Sequence, residues 1–132
     1  MSRRDWGISA LVGIPKEKIE AIQGKVPSKS NLNKVGNGRW FRDEKVGRYE
    51  SSFFYQCRKY RNAGIKGWFE LYIDVFYDAN RQDLDNSFKV ILDCLQKVGA
   101  IKNDNKCVRI NSEKRFSKEP RIEFAIIERG RK

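Results

Sequence analysis

The sequence predicts a single α+β (mixed α/β) domain, a small mixed or antiparallel sheet packed by two main helices. Three observations carry this. The chain has 132 residues, the size of one domain. Its apolar spacing switches between alternation and steps of three and four, giving the order strand, helix, strand, helix, strand, strand. One stretch, Trp68 to Tyr77 (WFELYIDVFY), alternates cleanly: Phe69, Leu71, Ile73, Val75 and Tyr77 face one side, with Trp68, Glu70, Tyr72, Asp74 and Phe76 on the other.

In chain order, residues 1–18 read as an N-terminal extension of unassigned structure and 19–132 as the domain. Ile19 to Val26 reads as a strand, with a short helix as the alternative. Pro27 to Asn31 breaks it, and a loop rich in Gly, Asn and Lys follows to about Arg42. Glu44 to Arg61 is expected to be a helix, with Val46, Tyr49, Phe53, Cys57 and Tyr60 as its apolar stripe and Gly64 as its left-handed cap. After the Trp68 strand, Asp85 to Val98 is the second helix, burying Phe88, Ile91, Leu92, Leu95 and Val98 and ending at Gly99. Ala100 to Lys106 is a polar loop carrying Asp104. Cys107 to Phe116 and Arg121 to Glu128 are strands. A parallel connection among these last strands is expected to be right-handed.

Charge narrows the function. Lys and Arg total 28 against 17 Asp and Glu, a net charge of +11, which points to a polyanionic partner and first to nucleic acid. Seven Lys or Arg and only two acids lie between Lys25 and Arg48, around Trp40 and Phe41. That mixture suits phosphate contact and base stacking, and equally a solvated loop whose aromatics tuck into the core. The chain holds three cysteines, none in a C-x-x-C pair, and no histidine, which argues against structural zinc and removes histidine-based catalysis. An odd cysteine count argues for free thiols and a cytoplasmic setting. Gly7 to Ile14 follows two arginines, but it is short and lacks a cleavage site, so no export signal is read there. No apolar run reaches membrane-spanning length.

The stretch NRQDLDNSFKVILDCL, Asn80 to Leu95, concentrates acids in this basic chain. Asp85 suits a helix N-cap, and Asp85–Lys89 is a favourable pair at i and i+4. Asp93 repeats that spacing from Lys89. An ordinary solvated helix face therefore accounts for three of these four groups. Asp83 is the exception: in an extended lead-in it projects beside Asp85, and two such carboxylates repel unless a cation lies between them. A calcium loop starting at Asp83 fails, because Phe88 stands where glycine is needed and Cys94 where glutamate is needed. Mg²⁺ fits better, since it takes a few carboxylates and completes its shell with water and phosphate.

RQDLDNSFKVILDCLQKVGAIKNDNK resembles the core motif of the RusA family of Holliday junction resolvases. Asp83, Leu84, Asp85, Asn86, Lys89, Asp93, Leu95, Gly99 and Asp104 fall at matching places without a gap. GKVPSKSN and NGRWF resemble the family's weaker N-terminal strand and loop, and the resemblance spans roughly residues 19–128. Asn103 stands where the family often has a further acid, and Gln82 where it often has Arg.

The resemblance implies an Mg²⁺-dependent homodimeric endonuclease that cuts four-way DNA junctions by paired symmetric nicks. Asp83, Asp85 and Asp104 would hold one or two Mg²⁺ ions per active site. Lys89 would face charge developing on the phosphoryl oxygens, with Asp93 supporting it. Lys29, Lys34, Lys114 and Arg115 are the DNA-contact residues expected. A nuclease acting on flaps or forks, and a non-catalytic basic DNA-binding module, are the alternatives.

Overall fold

The computed structural model describes residues 8–27, 33–34, 40–41, 44–79 and 84–129. Its elements are β1 (Glu20–Gln23), β2 (Asn33–Lys34), β3 (Trp40–Phe41), α1 (Glu44–Gln56), β4 (Phe69–Tyr77), α2 (Leu84–Lys97), β5 (Cys107–Phe116) and β6 (Arg121–Glu128). Four strands form one mixed sheet in the order β1-β6-β4-β5. β4 sits inside it, parallel to β5 and antiparallel to β6, while β1 closes the other edge antiparallel to β6. This is the expected α+β domain. The loop expected from Pro27 to Arg42 contains a two-residue hairpin, β2 against β3, which is too short to leave a periodic signal.

β4 explains the layering. Phe69, Leu71, Ile73, Val75 and Tyr77 are all fully buried, as alternation predicts. They meet Phe53 of α1, Ile91 and Leu95 of α2, and Ile122 and Phe124 of β6 in one core. The other face of β4 is also covered: Asp74 is 1% exposed and Phe76 8%. Arg121 and Arg115 lie over the Phe76 ring, and residues of the N-terminal stretch meet Asp74. The Ala10 amide donates to Asp74 Oδ1 at 2.7 Å and the Ser9 hydroxyl donates to Oδ2. Ala10 and Leu11 are themselves buried.

α1 ends at Gln56, five residues before the expected Arg61. Cys57 still bonds back to Phe53, but the following backbone is claimed by the turn after α2: Asn62 N–H donates to the Val98 carbonyl, Gly64 to Gly99 and Ile65 to Ala100. Gly64 has positive φ as expected, within this tertiary pairing and not as the cap of α1. α2 is rotated slightly from its predicted phase. Ser87, Val90, Ile91, Cys94 and Leu95 are buried, while Phe88 and Leu92 are half-buried. The cause is Ser87, whose hydroxyl lies 2.7 Å from that of Tyr77 and so turns a polar position inward at no cost in unpaired groups.

Candidate nuclease site

β4 runs into the 78–83 connection and then α2, so the acidic segment lies at the C-terminal end of β4. The Tyr77–Ser87 hydroxyl contact braces the first turn of α2 against the end of that strand. α2 starts at Leu84, one residue earlier than predicted. Asp85 is therefore inside the first turn, where its charge favours the positive end of the helix dipole, and is not the N-cap. The position before the helix belongs to Asp83, which lies outside the described residues. Lys89 follows Asp85 by one turn on the same face, and both are exposed. Asp93 continues that face half-buried.

Asp104 opens a one-turn 3₁₀ helix, Asp104–Lys106, just before β5. Its amide donates to Gln96 Oε1 at 3.1 Å, near the C-terminal end of α2, and its side chain is exposed. Because β4 and β5 are parallel, with Phe69 opposite Cys107 and Tyr77 opposite Phe116, Asp104 sits at the end of the sheet where β4 begins. Asp85 sits at the end where β4 finishes. Eight residue steps of strand separate the two ends, roughly 26 Å at about 3.3 Å per residue. One chain thus brings Asp85 and Lys89 together and keeps Asp104 apart. Among the described residues no three His, Cys, Asp or Glu gather at one place.

The donor chemistry suits a hard divalent cation. Asp85 and Asp104 offer exposed carboxylate oxygens, and the chain has no imidazole. The thiols are poor ligands: Cys57 and Cys94 are buried, and burial pushes the Cys57 thiol up to about 11. Burial also raises Cys107, with Asp104 adding to the effect.

The expected DNA contacts divide. Lys114 lies at the Tyr77 end, its ammonium 5.5 Å from the Tyr77 ring centre. Arg115 is turned to the covered face, 3.3 Å from Asp74 Oδ2 with its side chain 16% exposed, and stacks near Phe76. Its guanidinium balances a buried carboxylate, which the alternating pattern around Asp74 did not reveal. Lys29 and the side chain of Lys34 lie outside the described residues. The sequence reading also missed Asp78, at the end of β4 and 3.3 Å from Lys25. Its only signal was its position directly after the strand.

A family model described as Endodeoxyribonuclease RusA matches residues 23–127. The chain is also similar to the crossover junction endodeoxyribonuclease RusA of Aquifex aeolicus (strain VF5), with 26% identity over 108 residues, covering 77% of this chain and 84% of the relative. The class is that of endodeoxyribonucleases, enzymes that hydrolyse internal phosphodiester bonds of DNA. Within it, this chain belongs to the RusA family.

Proposed function

We propose that this endonuclease resolves four-way DNA junctions by paired symmetric nicks, using Mg²⁺ held by Asp83, Asp85 and Asp104. The reading is supported most by one observation: β4 ends at an exposed Asp85–Lys89 pair, with the motif's other early carboxylate, Asp83, directly before the helix. When bound, a divalent cation polarises the scissile phosphate and lowers the pKa of the attacking water. Asp83 and Asp85 supply oxygen donors for one or two such ions. The Lys89 ammonium, one turn along, faces charge that develops on the phosphoryl oxygens. Asp93 supports that lysine from the next turn.

The separation of Asp104 from Asp85 gives the homodimer a chemical role. A junction has approximate two-fold symmetry, and a C₂ dimer presents two equivalent sites related by it. In this reading Asp104 of each copy completes the site of the other. Residues 19–132 form the endonuclease unit, Ser9 and Ala10 of the preceding segment close over Asp74 on its sheet, and Lys29, Lys34 and Lys114 meet phosphates outside the scissile one. Free thiols suit action on DNA in the cytoplasm.

A junction-cleavage assay tests the reading. The wild type is expected to nick a synthetic four-way junction in opposing strands with Mg²⁺, far faster than a flap or linear duplex. It should bind without nicking in chelator. Asp85→Asn and Asp104→Asn are each expected to bind the junction and nick at least 100-fold more slowly. Mixed and allowed to exchange subunits, the two variants regain single nicks, because one site of each mixed dimer keeps both aspartates. An inert mixture would refute the shared site, and equal cleavage of all three substrates would refute junction selectivity.

A further inference from the structure

We propose that the last turn of α1 and the residues after it form a second DNA-binding site, which holds an unpaired strand by stacking a base on Tyr55 beside Phe54. Residues 51–66 hold four cations, Arg58, Lys59, Arg61 and Lys66, and no acid. Tyr55 is 73% exposed and Phe54 43%. Among the described side chains these are the only exposed aromatic rings. The same fold buries Tyr49, Phe53, Phe69, Phe76, Tyr77 and Phe124. Two adjacent rings left in water within a cationic stretch mark a surface that another molecule covers.

The rings stand on a fixed support. Gln56, the last residue of α1, ties the turn to β1: its Nε2 donates to the Gln23 carbonyl at 3.0 Å and to Ser52 Oγ at 2.9 Å, and its Oε1 accepts the Gln23 amide at 2.7 Å. Arg61 folds back over the helix end. It donates to the Phe54 carbonyl at 2.7 Å, a group that a helix terminus leaves without an intrahelical partner, and its guanidinium lies 4.8 Å from the Phe54 ring centre. Tyr55 meets Phe54 at 84°, with ring centres 5.6 Å apart. Arg61 thus occupies Phe54, and Tyr55 is the ring left to receive a base. Little ordering remains to be done when a strand arrives.

Charge and ring chemistry together select the occupant. Four cations without an acid attract phosphates, and they repel a second copy of a chain whose net charge is +11. Glu50, the nearest acid earlier in α1, is neutralised by Lys97 at 2.9 Å. The Tyr55 ring adds a preference that charge lacks. An unpaired nucleotide presents the face of its base for stacking, whereas a duplex hides that face between neighbours. A duplex arm would meet the cations and leave Tyr55 bare. The site is also separate from the α2 entrance, because α1 is tied to β1, at the opposite edge of the sheet from β5. It needs no metal, and branched DNA with a single-stranded arm is then held at two places.

Fluorescence anisotropy in chelator separates bases from phosphates. The probes are an oligothymidylate of about 15 nucleotides, the span of such sites, and an abasic strand of equal length. The wild type is expected to bind the thymidylate about ten-fold more tightly than the abasic strand. Tyr55→Ala should lose that preference, and Tyr55→Trp should keep it. The salt dependence stays the same in Tyr55→Ala, since a lost stack releases no counterion, and its slope falls by about 0.7 in Arg58→Ala. Nicking of a fully paired junction is unchanged in Tyr55→Ala, which also shows that this variant is folded. Equal wild-type affinity for the two strands, or a Tyr55→Ala variant that keeps the preference, would overturn the site. So would a folded Tyr55→Ala variant that dimerises more weakly in sedimentation or nicks the paired junction more slowly, because the face then belongs to a second copy or to a duplex arm. If the wild type prefers the thymidylate yet nicks no junction, the second site stands and the resolvase reading falls.

Discussion

At Gly99 the backbone takes φ +78°, a conformation that side-chain-bearing residues rarely adopt. A Cβ there would lie 3.0 Å from Asn62 Oδ1 and 3.3 Å from Asn62 Cα. Glycine is required twice over, by conformation and by space. Gly99→Ala is expected to destabilise the fold by about 2 kcal/mol, combining the left-handed penalty with displacement of the Asn62 turn. Gly13 supplies the comparison: its φ is +88°, but a Cβ at that position would meet nothing within 4 Å. Gly13→Ala should therefore cost only the conformational part, about 1 kcal/mol. Urea titration of both variants measures the difference, and equal losses would show that the contact with Asn62 is irrelevant. The sequence indicated a helix stop at Gly99. It did not indicate that the stop also anchors the segment after α1, because that contact joins residues far apart in the chain.

At the scale of elements, β4 shows how one strand is shaped by what packs on both faces. The alternation correctly assigned its apolar side. It said nothing of what packs on the other side, where the structure sets Ser9 and Ala10 on Asp74. Asp74 receives the Ser9 hydroxyl, the Ala10 amide and the Arg115 guanidinium, so a buried charge has three donors. Asp74→Asn keeps the shape but removes the charge and presents an amide to groups that donate. It is expected to lower stability by about 3 kcal/mol and to speed hydrogen exchange at Ala10. Unchanged exchange at Ala10 would mean that apolar packing, through Leu11 and its neighbours, holds the segment instead. β5 and β6 coincide with their predicted limits because their ends are marked locally, by a polar loop before one and by Ser117 to Pro120 between them. α1 falls short of its prediction because its last residues find better backbone partners beyond Val98.

For the whole molecule the net charge of +11 governs how it meets DNA. Each lysine or arginine that neutralises a phosphate releases counterions, so affinity falls steeply as salt rises. The proposed dimer, contacting about six phosphates or more, should lose about 10³-fold in junction affinity between 50 and 200 mM salt. Filter binding in chelator measures this without cleavage. A near-flat salt dependence would show that the basic residues are solvated surface and that other contacts hold the junction. Lys89→Ala should reduce the slope by about one phosphate at most, since in the proposed reading Lys89 meets a single phosphate among many.

The sequence by itself determined the kinds of element, most of their limits, and the residues from which the proposed site is drawn: hard oxygen donors, one lysine and a large cationic excess. Those properties follow from residue types and short spacings, which act over a turn of helix or a few residues of strand. Only the tertiary structure decided that β4 runs parallel to β5. That single pairing places Asp85 and Asp104 at opposite ends of the sheet, because a parallel crossover must carry the chain back to its starting edge before the next strand begins. Strand direction is a long-range property with no local signature, so carboxylates only 19 positions apart in sequence end up on opposite sides of one molecule.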